Sequence, residues 1–198
     1  MIWNRRRVLK AGGLLAGASA AGVLALPARG AALAAAGVPA AGGPAAGAPV
    51  VKRLVLRNVH NPESLDLTFF RDGAYVPDSL AAVRVLLRDY RNDEQHAIDP
   101  PLLDYLHDVA LGLGVDPVFS VISGYRSPQT NAMLHERSSG VARHSLHIEG
   151  RAIDVRLAGV DCARLAEHAL RFERGGVGYY RKSDFVHLDT GAFRTWRG

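Results

Sequence analysis

Cysteine is nearly absent from this chain of 198 residues: Cys162 stands alone, so no intrachain disulfide can form and a multi-cysteine zinc site is excluded. At the opening of a helical segment, Cys162 reads as a small packed residue rather than a nucleophile. Acid is absent from everything before Val50, where Arg5, Arg6, Arg7, Lys10 and Arg29 face no Asp or Glu. Those five account for the whole excess of 24 Lys and Arg over 19 Asp and Glu, so the formal charge of +5 belongs to this leading segment and the remainder is formally neutral. A basic patch interleaved with aromatics is missing there too, which leaves nucleic-acid binding without an electrostatic footprint. Long apolar runs are also lacking. The stretch from Ala11 to Leu26 is shorter than the roughly 20 apolar residues of a membrane span and is rich in Gly and Ala, so no stable span is expected once a leader is removed.

What is present begins with Asn4-Arg5-Arg6-Arg7-Val8-Leu9-Lys10 ahead of that weakly apolar stretch, the pattern of a twin-arginine export signal. The small residues around Pro27-Ala28-Arg29-Gly30-Ala31 offer several cleavage points. The expected organisation is a signal peptide over 1–30, an Ala/Gly/Pro linker over 31–49 and one domain over 50–198, working in the periplasm. No internal repeat interrupts that domain, and nothing in the pattern sets an oligomeric state.

Within the domain, Val51 to Val59 alternates as an opening strand. Asp78 is expected to cap a helix with Leu80, Val83, Leu86, Leu87 and Tyr90 on one face. Asp99-Pro100 opens a second helix, with Leu102, Leu103, Leu106, Val109, Ala110 and Leu113 at helical spacing and Gly114 as its stop. Val118 to Ile122 reads as a buried strand and Ser127-Pro128 as the start of a helix to about Ser138. Arg151 to Leu157 alternates as a strand, Ala163 to Arg171 reads as a helix, and Gly178 to Tyr180 and Phe185 to Leu188 read as strands. Helices early and strands late predict an α+β fold with an antiparallel sheet rather than a doubly wound parallel one, and with helices packed mainly from the N-terminal half.

The chemistry concentrates in Ser145-Leu146-His147-Ile148-Glu149-Gly150-Arg151-Ala152-Ile153-Asp154. A single extended strand would hold His147 and Asp154 roughly 23 Å apart, too far to share an ion, so the chain must bend between them. Gly150 is the residue able to take the backbone angles of that bend. Beyond it, Ala152, Asp154 and Arg156 share a strand face while Ile153 and Val155 turn to the core. A catalytic zinc site takes three protein ligands and keeps a place for water, whose pKa then falls towards ~7. Phe185-Val186-His187-Leu188-Asp189 offers the third ligand, with Phe185, His187 and Asp189 on one face.

The His-x-x-Gly-x-Ala-x-Asp run with a late strand His resembles the zinc D-alanyl-D-alanine peptidase group of carboxypeptidases, dipeptidases and murein endopeptidases. Ile122-Ser123-Gly124-Tyr125-Arg126-Ser127-Pro128, Val141-Ala142-Arg143-His144-Ser145-Leu146-His147 and Gly175-Gly176-Val177-Gly178-Tyr179-Tyr180 are most similar to its murein endopeptidase K branch. Asn58-Val59-His60, Leu87-Arg88-Asp89-Tyr90 and the late Phe-Val-His-Leu-Asp-Thr-Gly extend the likeness over nearly the whole domain. The resemblance implies zinc held by His147, Asp154 and His187. It implies Asp184 as general base on the attacking water and proton donor to the leaving amine, and Arg126 as the cation that stabilises the developing oxyanion. His144 and Ser145, beside the first ligand, are candidates for substrate binding or for orienting that ligand. The substrate it implies is the peptide crosslink of peptidoglycan, D-alanyl to diaminopimelate or diaminopimelate to diaminopimelate.

Each residue has a plainer reading. Asp184 could be a solvated turn acid, and Arg126 could pair with an acid to hold its loop. Asp189 could fix the tautomer of a ligand, though a structural hydrogen bond is favoured. His60, His96, His107, His135 and His168 lack ligand spacing and read as surface or structural. Trp196 reads as packing or as a contact to wall sugar. At the level of function, the rivals are a D,D-carboxypeptidase on the same scaffold and a non-catalytic peptidoglycan-binding module.

Overall fold

Leu54 and Leu56 alternate with Arg53, Val55 and Arg57, and the alternation forms β1 (Lys52–Asn58), with both leucines fully buried. The computed structural model describes residues 50–138 and 141–198. The expected signal peptide and linker lie outside the described residues. From β1 the chain turns back through β2 (Ser64–Arg71) and the two-residue β3 (Ala74–Tyr75), a hairpin excursion absent from the sequence reading. Helices α1 (Pro77–Leu86) and α2 (Pro100–Gly112) then carry it over to β4 (Val118–Ser123). After α3 (Pro128–Arg137) come β5 (Ala152–Leu157), α4 (Cys162–Leu170), β6 (Gly176–Tyr180), β7 (Phe185–Asp189) and β8 (Arg194–Arg197).

The strands form one eight-stranded sheet in the order β3-β2-β1-β4-β5-β7-β6-β8. It is mixed, which corrects the expectation of an antiparallel sheet: β1 pairs with β4, and β6 with β8, in parallel. The first parallel pair follows from the connection, since the helical crossover through α1 and α2 returns the chain to β1's other edge running the same way. The four helices are also spread along the chain, with α4 well inside the C-terminal half, rather than drawn mainly from the N-terminal half.

Helix starts follow local chemistry with one correction. Pro77 takes the first position of α1 and Val76 is its N-cap, so Asp78 sits in the first turn instead of capping. The helix ends at Leu86, which leaves Tyr90 off its face, stacked on His60 with ring centroids 3.6 Å apart. Ser127 caps α3 by accepting from the Thr130 N–H, and Asp161 caps α4 by accepting from the Arg164 N–H. Asp99 is the N-cap residue of α2, but its carboxylate accepts from the Thr190 hydroxyl instead of from the helix (2.6 Å).

One core joins the sheet to α1, α2 and α4. Leu102, Leu103, Leu106 and Val109 of α2 and Leu165 and Ala169 of α4 pack with Leu54, Phe119, Ile153, Val155, Val186 and Leu188. Each large apolar side chain taken from water there contributes ~1.5–3 kcal/mol. Cys162 is buried in this core, and burial pushes its thiol up to about 12. The inward alternation of β5 and β7 leaves Asp154, His187 and Asp189 on the sheet's other side. Among the described residues no helix is long and apolar enough to cross a membrane.

Candidate metal centre

Asp154 and His187 are register partners on neighbouring antiparallel strands, so their side chains stand side by side. His147 reaches them from the turn that precedes β5. That turn closes at Gly150, where φ is +65° and an added Cβ would lie 2.0 Å from the Ala97 carbonyl oxygen. The Asp99 N–H donates to the Gly150 carbonyl (2.9 Å) and seals the turn against the start of α2. Only glycine combines the left-handed angle with so close an approach.

The bend brings one atom from each of the three side chains to within 4.8 Å of the others, all buried. His147 Nε2 lies 3.3 Å from Asp154 Oδ1, His187 Nδ1 lies 2.9 Å from the same oxygen, and the two nitrogens are 3.2 Å apart. The outer nitrogen of each ring is already committed. His147 Nδ1 donates to the Gly124 carbonyl (2.7 Å) and His187 Nε2 donates to Asp189 (3.0 Å). Two imidazole nitrogens and a carboxylate oxygen therefore converge with acceptor character, an arrangement that a cation relieves. The donor set suits zinc, for which two His and one carboxylate are a known ligand combination.

The electrostatics follow this convergence. Burial pushes the Asp154 carboxyl up, but the charge and hydrogen bonds of His147 and His187 outweigh it and hold the group far below the usual carboxylate range. Burial depresses His147. It acts on His187 in the same sense, yet hydrogen bonds to Asp154 and Asp189 prevail and raise that ring. Asp189 is fully buried and accepts from the backbone N–H groups of Gly176 and Gly191 and from Arg194 as well as from His187. Its position fixes which nitrogen of His187 faces the cluster.

The cluster opens into a cleft of about 480 Å³ whose walls include Arg126, His144, Ser145, Tyr180 and Trp196. Arg126 stands at its side, 3.6 Å from Asp154, with long bonds to Asn131 (3.4 Å) and Ser123 (3.3 Å) and a buried Nε without a partner among the described residues. Burial, opposed by the charge of Asp154, lowers its pKa. Its loop is fastened on both sides: Tyr125 N–H donates to Leu87, Arg126 N–H to His147, and Ser127 N–H and hydroxyl to Asp89. His144 and Ser145 are both on the cleft wall, in a segment held by Asn131 Nδ2 at the carbonyls of Ala142 and Arg143.

Asp184 is not brought to the cluster. It occupies the β6–β7 turn with φ +51°, mostly exposed, its carboxylate 3.3 Å from Arg156. The sequence reading gave no role to Arg194 or Tyr180 and left Trp196 undecided. Four mostly polar residues at a sheet edge carry no periodic signal, so β8 and what it reaches were invisible from sequence. A larger hollow of about 770 Å³ beside α4 shares only Trp196 with the cleft. Among the described residues it holds no metal-ligating cluster.

Residues 46–196 match the family model described as peptidoglycan L,D-endopeptidase MepK. A Haemophilus influenzae protein named probable peptidoglycan L,D-endopeptidase MepK is 41% identical over 146 residues, covering 73% of this chain and 78% of that protein. The peptidoglycan L,D-endopeptidase MepK of Escherichia coli K12 is 42% identical over 143 residues, covering 72% and 79%. The Shigella flexneri protein of that name is 42% identical over the same length. No solved structure matches.

Proposed function

The chain belongs to the peptidoglycan L,D-endopeptidase MepK family, and from that membership and its buried cluster we propose a zinc peptidase that cuts peptide crosslinks of cell-wall murein. The observation that carries the reading is the convergence of His147 Nε2, His187 Nδ1 and Asp154 Oδ1, with both rings' outer N–H groups already donating elsewhere. The relatives' L,D designation favours one of the two crosslinks considered. The amide from the L-centre of one diaminopimelate to the D-centre of the next is an L,D bond, whereas D-alanyl to diaminopimelate joins two D-centres.

Zinc held by the three side chains would supply Lewis-acid polarisation of the scissile carbonyl and the attacking water. Arg126 faces the same cleft with donor capacity its weak partners leave unused, suited to negative charge that appears on the carbonyl oxygen only in the transition state. Asp184 takes the proton of the attacking water and returns it to the leaving amine. For this its carboxylate must leave Arg156, and an exposed pair of that kind holds it by at most ~1 kcal/mol. His144 and Ser145 contact the peptide on the cleft wall. The substrate places the work outside the cytoplasmic membrane, with the twin-arginine leader as the proposed route.

The test is mass spectrometry of purified muropeptides incubated with zinc-loaded protein. Dimers linked between two diaminopimelates should become monomers. Release of terminal D-alanine alone would replace this reading with the carboxypeptidase, and no turnover of any substrate would replace it with the binding module.

A further inference from the structure

Two rows of side chains run across the end of the sheet. Register pairs Asp154 with His187, His187 with Gly178 and Gly178 with Trp196 in one row. The neighbouring row runs from Asp189 on β7 past Gly176 on β6 to Arg194 on β8, with Gly176 and Arg194 as register partners. In each row β6 contributes a glycine, and the outer residue reaches over it to the strand beyond. Arg194 spans Gly176 to grip Asp189, Nη1 to Oδ1 at 3.1 Å and Nη2 to Oδ2 at 2.7 Å. Trp196 lies over Gly178 against the ring of His187, centroids 5.1 Å apart. The glycines are required for this reach. A Cβ at 176 would lie 2.4 Å from Asp189 Oδ2 and 2.7 Å from Arg194 Nη1, and one at 178 would lie 2.4 Å from the indole.

Asp189 Oδ2 has two donors among these contacts, His187 Nε2 and Arg194 Nη2. The backbone N–H groups of Gly176 and Gly191 both go to Oδ1. Among the described residues the guanidinium is thus the one donor besides the imidazole on the oxygen that orients it, and its two-pronged planar grip sets the direction of a carboxylate whose other oxygen the backbone already holds.

We propose that Arg194, an edge-strand residue on the cleft wall that is not one of the candidate ligands, is a positioning residue for the metal centre: it locks Asp189, which turns His187 Nδ1 towards the ligand cluster. The inference rests on the zinc reading of that cluster and adds a residue to it. Arg194 is half exposed on an outer strand and Asp189 keeps its backbone donors without it, so its loss should loosen the ligand more than the fold.

The experiment measures the zinc dissociation constant of metal-free protein by competition with a chromophoric chelator, alongside the melting temperature of the same metal-free samples. Arg194→Ala should weaken zinc by up to ~10-fold, the lower end of what removing a ligand's direct orienting partner does, because Arg194 acts on His187 through Asp189, with little change in melting. Arg194→Lys, which keeps one donor and loses the fork, should weaken it less than Arg194→Ala. Arg197→Ala, on the strand's other face, should bind as the parent does. Zinc affinity in Arg194→Ala within twofold of the parent overturns the proposal and leaves the zinc site standing. A parent chain that takes up no zinc removes the zinc reading and this inference together. Should Arg194→Ala fail to fold, Arg194→Lys decides by the same measurement: weakened zinc at unchanged melting supports the role, and parental affinity ends it.

Discussion

Replacing Gly150 with Ala tests whether the turn that unites His147 with Asp154 depends on a missing side chain. Alanine at φ +65° costs ~1 kcal/mol in backbone strain. Its Cβ would begin 2.0 Å from the Ala97 carbonyl oxygen where ordinary contact starts at 3.4 Å, so the two backbones must part by about 1.4 Å. That separation breaks the hydrogen bond from the Asp99 N–H to the Gly150 carbonyl, a further ~1 kcal/mol. The sum, ~2 kcal/mol, should lower the melting temperature by roughly 4–8 °C at ~2–4 °C per kcal/mol for a domain of this size. Gly159→Ala is the internal comparison: φ is +76° there, but no atom lies within 4 Å of the added carbon, so only the strain of ~1 kcal/mol should register. Thermal unfolding followed by far-ultraviolet circular dichroism compares the two. Identical melting of the two variants would refute the close-approach account. Gly150→Ala should also weaken zinc uptake, because His147 rides on the displaced turn while Asp154 stays fixed in β5, and Gly159→Ala should not.

Asp154→Asn should bring bound zinc, read by elemental analysis of dialysed protein, to near zero; a stoichiometric ion in this variant would remove Asp154 from the ligand set. Asp184→Asn, if the acid handles the water's proton, should lower kcat by ~10²–10⁴ with zinc content unchanged; parental turnover would assign that proton to another group. Asp89 gives a pH dependence. Burial pushes its carboxyl up, but hydrogen bonds from Thr130, Ser127 and Arg91 outweigh this, so its folded pKa lies below the unfolded value near ~3.9. Its stabilisation is complete above that unfolded value and is lost as pH falls through the folded one. Asp89→Asn should therefore cost ~2 kcal/mol at neutral pH and unfold with a flatter acid limb in urea titrations from about pH 5 down to about pH 2; an unchanged acid limb would exclude Asp89 as its source.

Legibility from sequence followed the range of the interaction that decided each feature. Helix α2 and strands β5 and β7 were readable because their apolar positions recur at the period of one element and the core lies on one side. The β2–β3 hairpin was passed over even though Leu65, Leu67 and Phe69 alternate. Strand β8, whose residues point at partners two strands away, left no periodic trace. Sheet parity was misjudged for a related reason: the direction of β4 beside β1 is set by the crossover, which no local pattern encodes. At the site, the bend at Gly150 and the convergence of His147, Asp154 and His187 were readable from spacing and motif. The contact between Arg194 and Asp189 was not, since it depends on the register of three strands and on a glycine between them. Asp184 was assigned by the resemblance, on its position three residues before His187, and a position along the chain does not say which way a turn side chain points.

The triple fastening of the Arg126 loop has a mechanical consequence. With Tyr125 tied to α1's end, Arg126 to the backbone of His147, and Ser127 to Asp89, this flank of the cleft is braced by three separate segments. It behaves as an anvil rather than a jaw. The wall that carries His144 and Ser145 is tied more sparsely, by Asn131 at the carbonyls of Ala142 and Arg143 and by His135 at that of Val141.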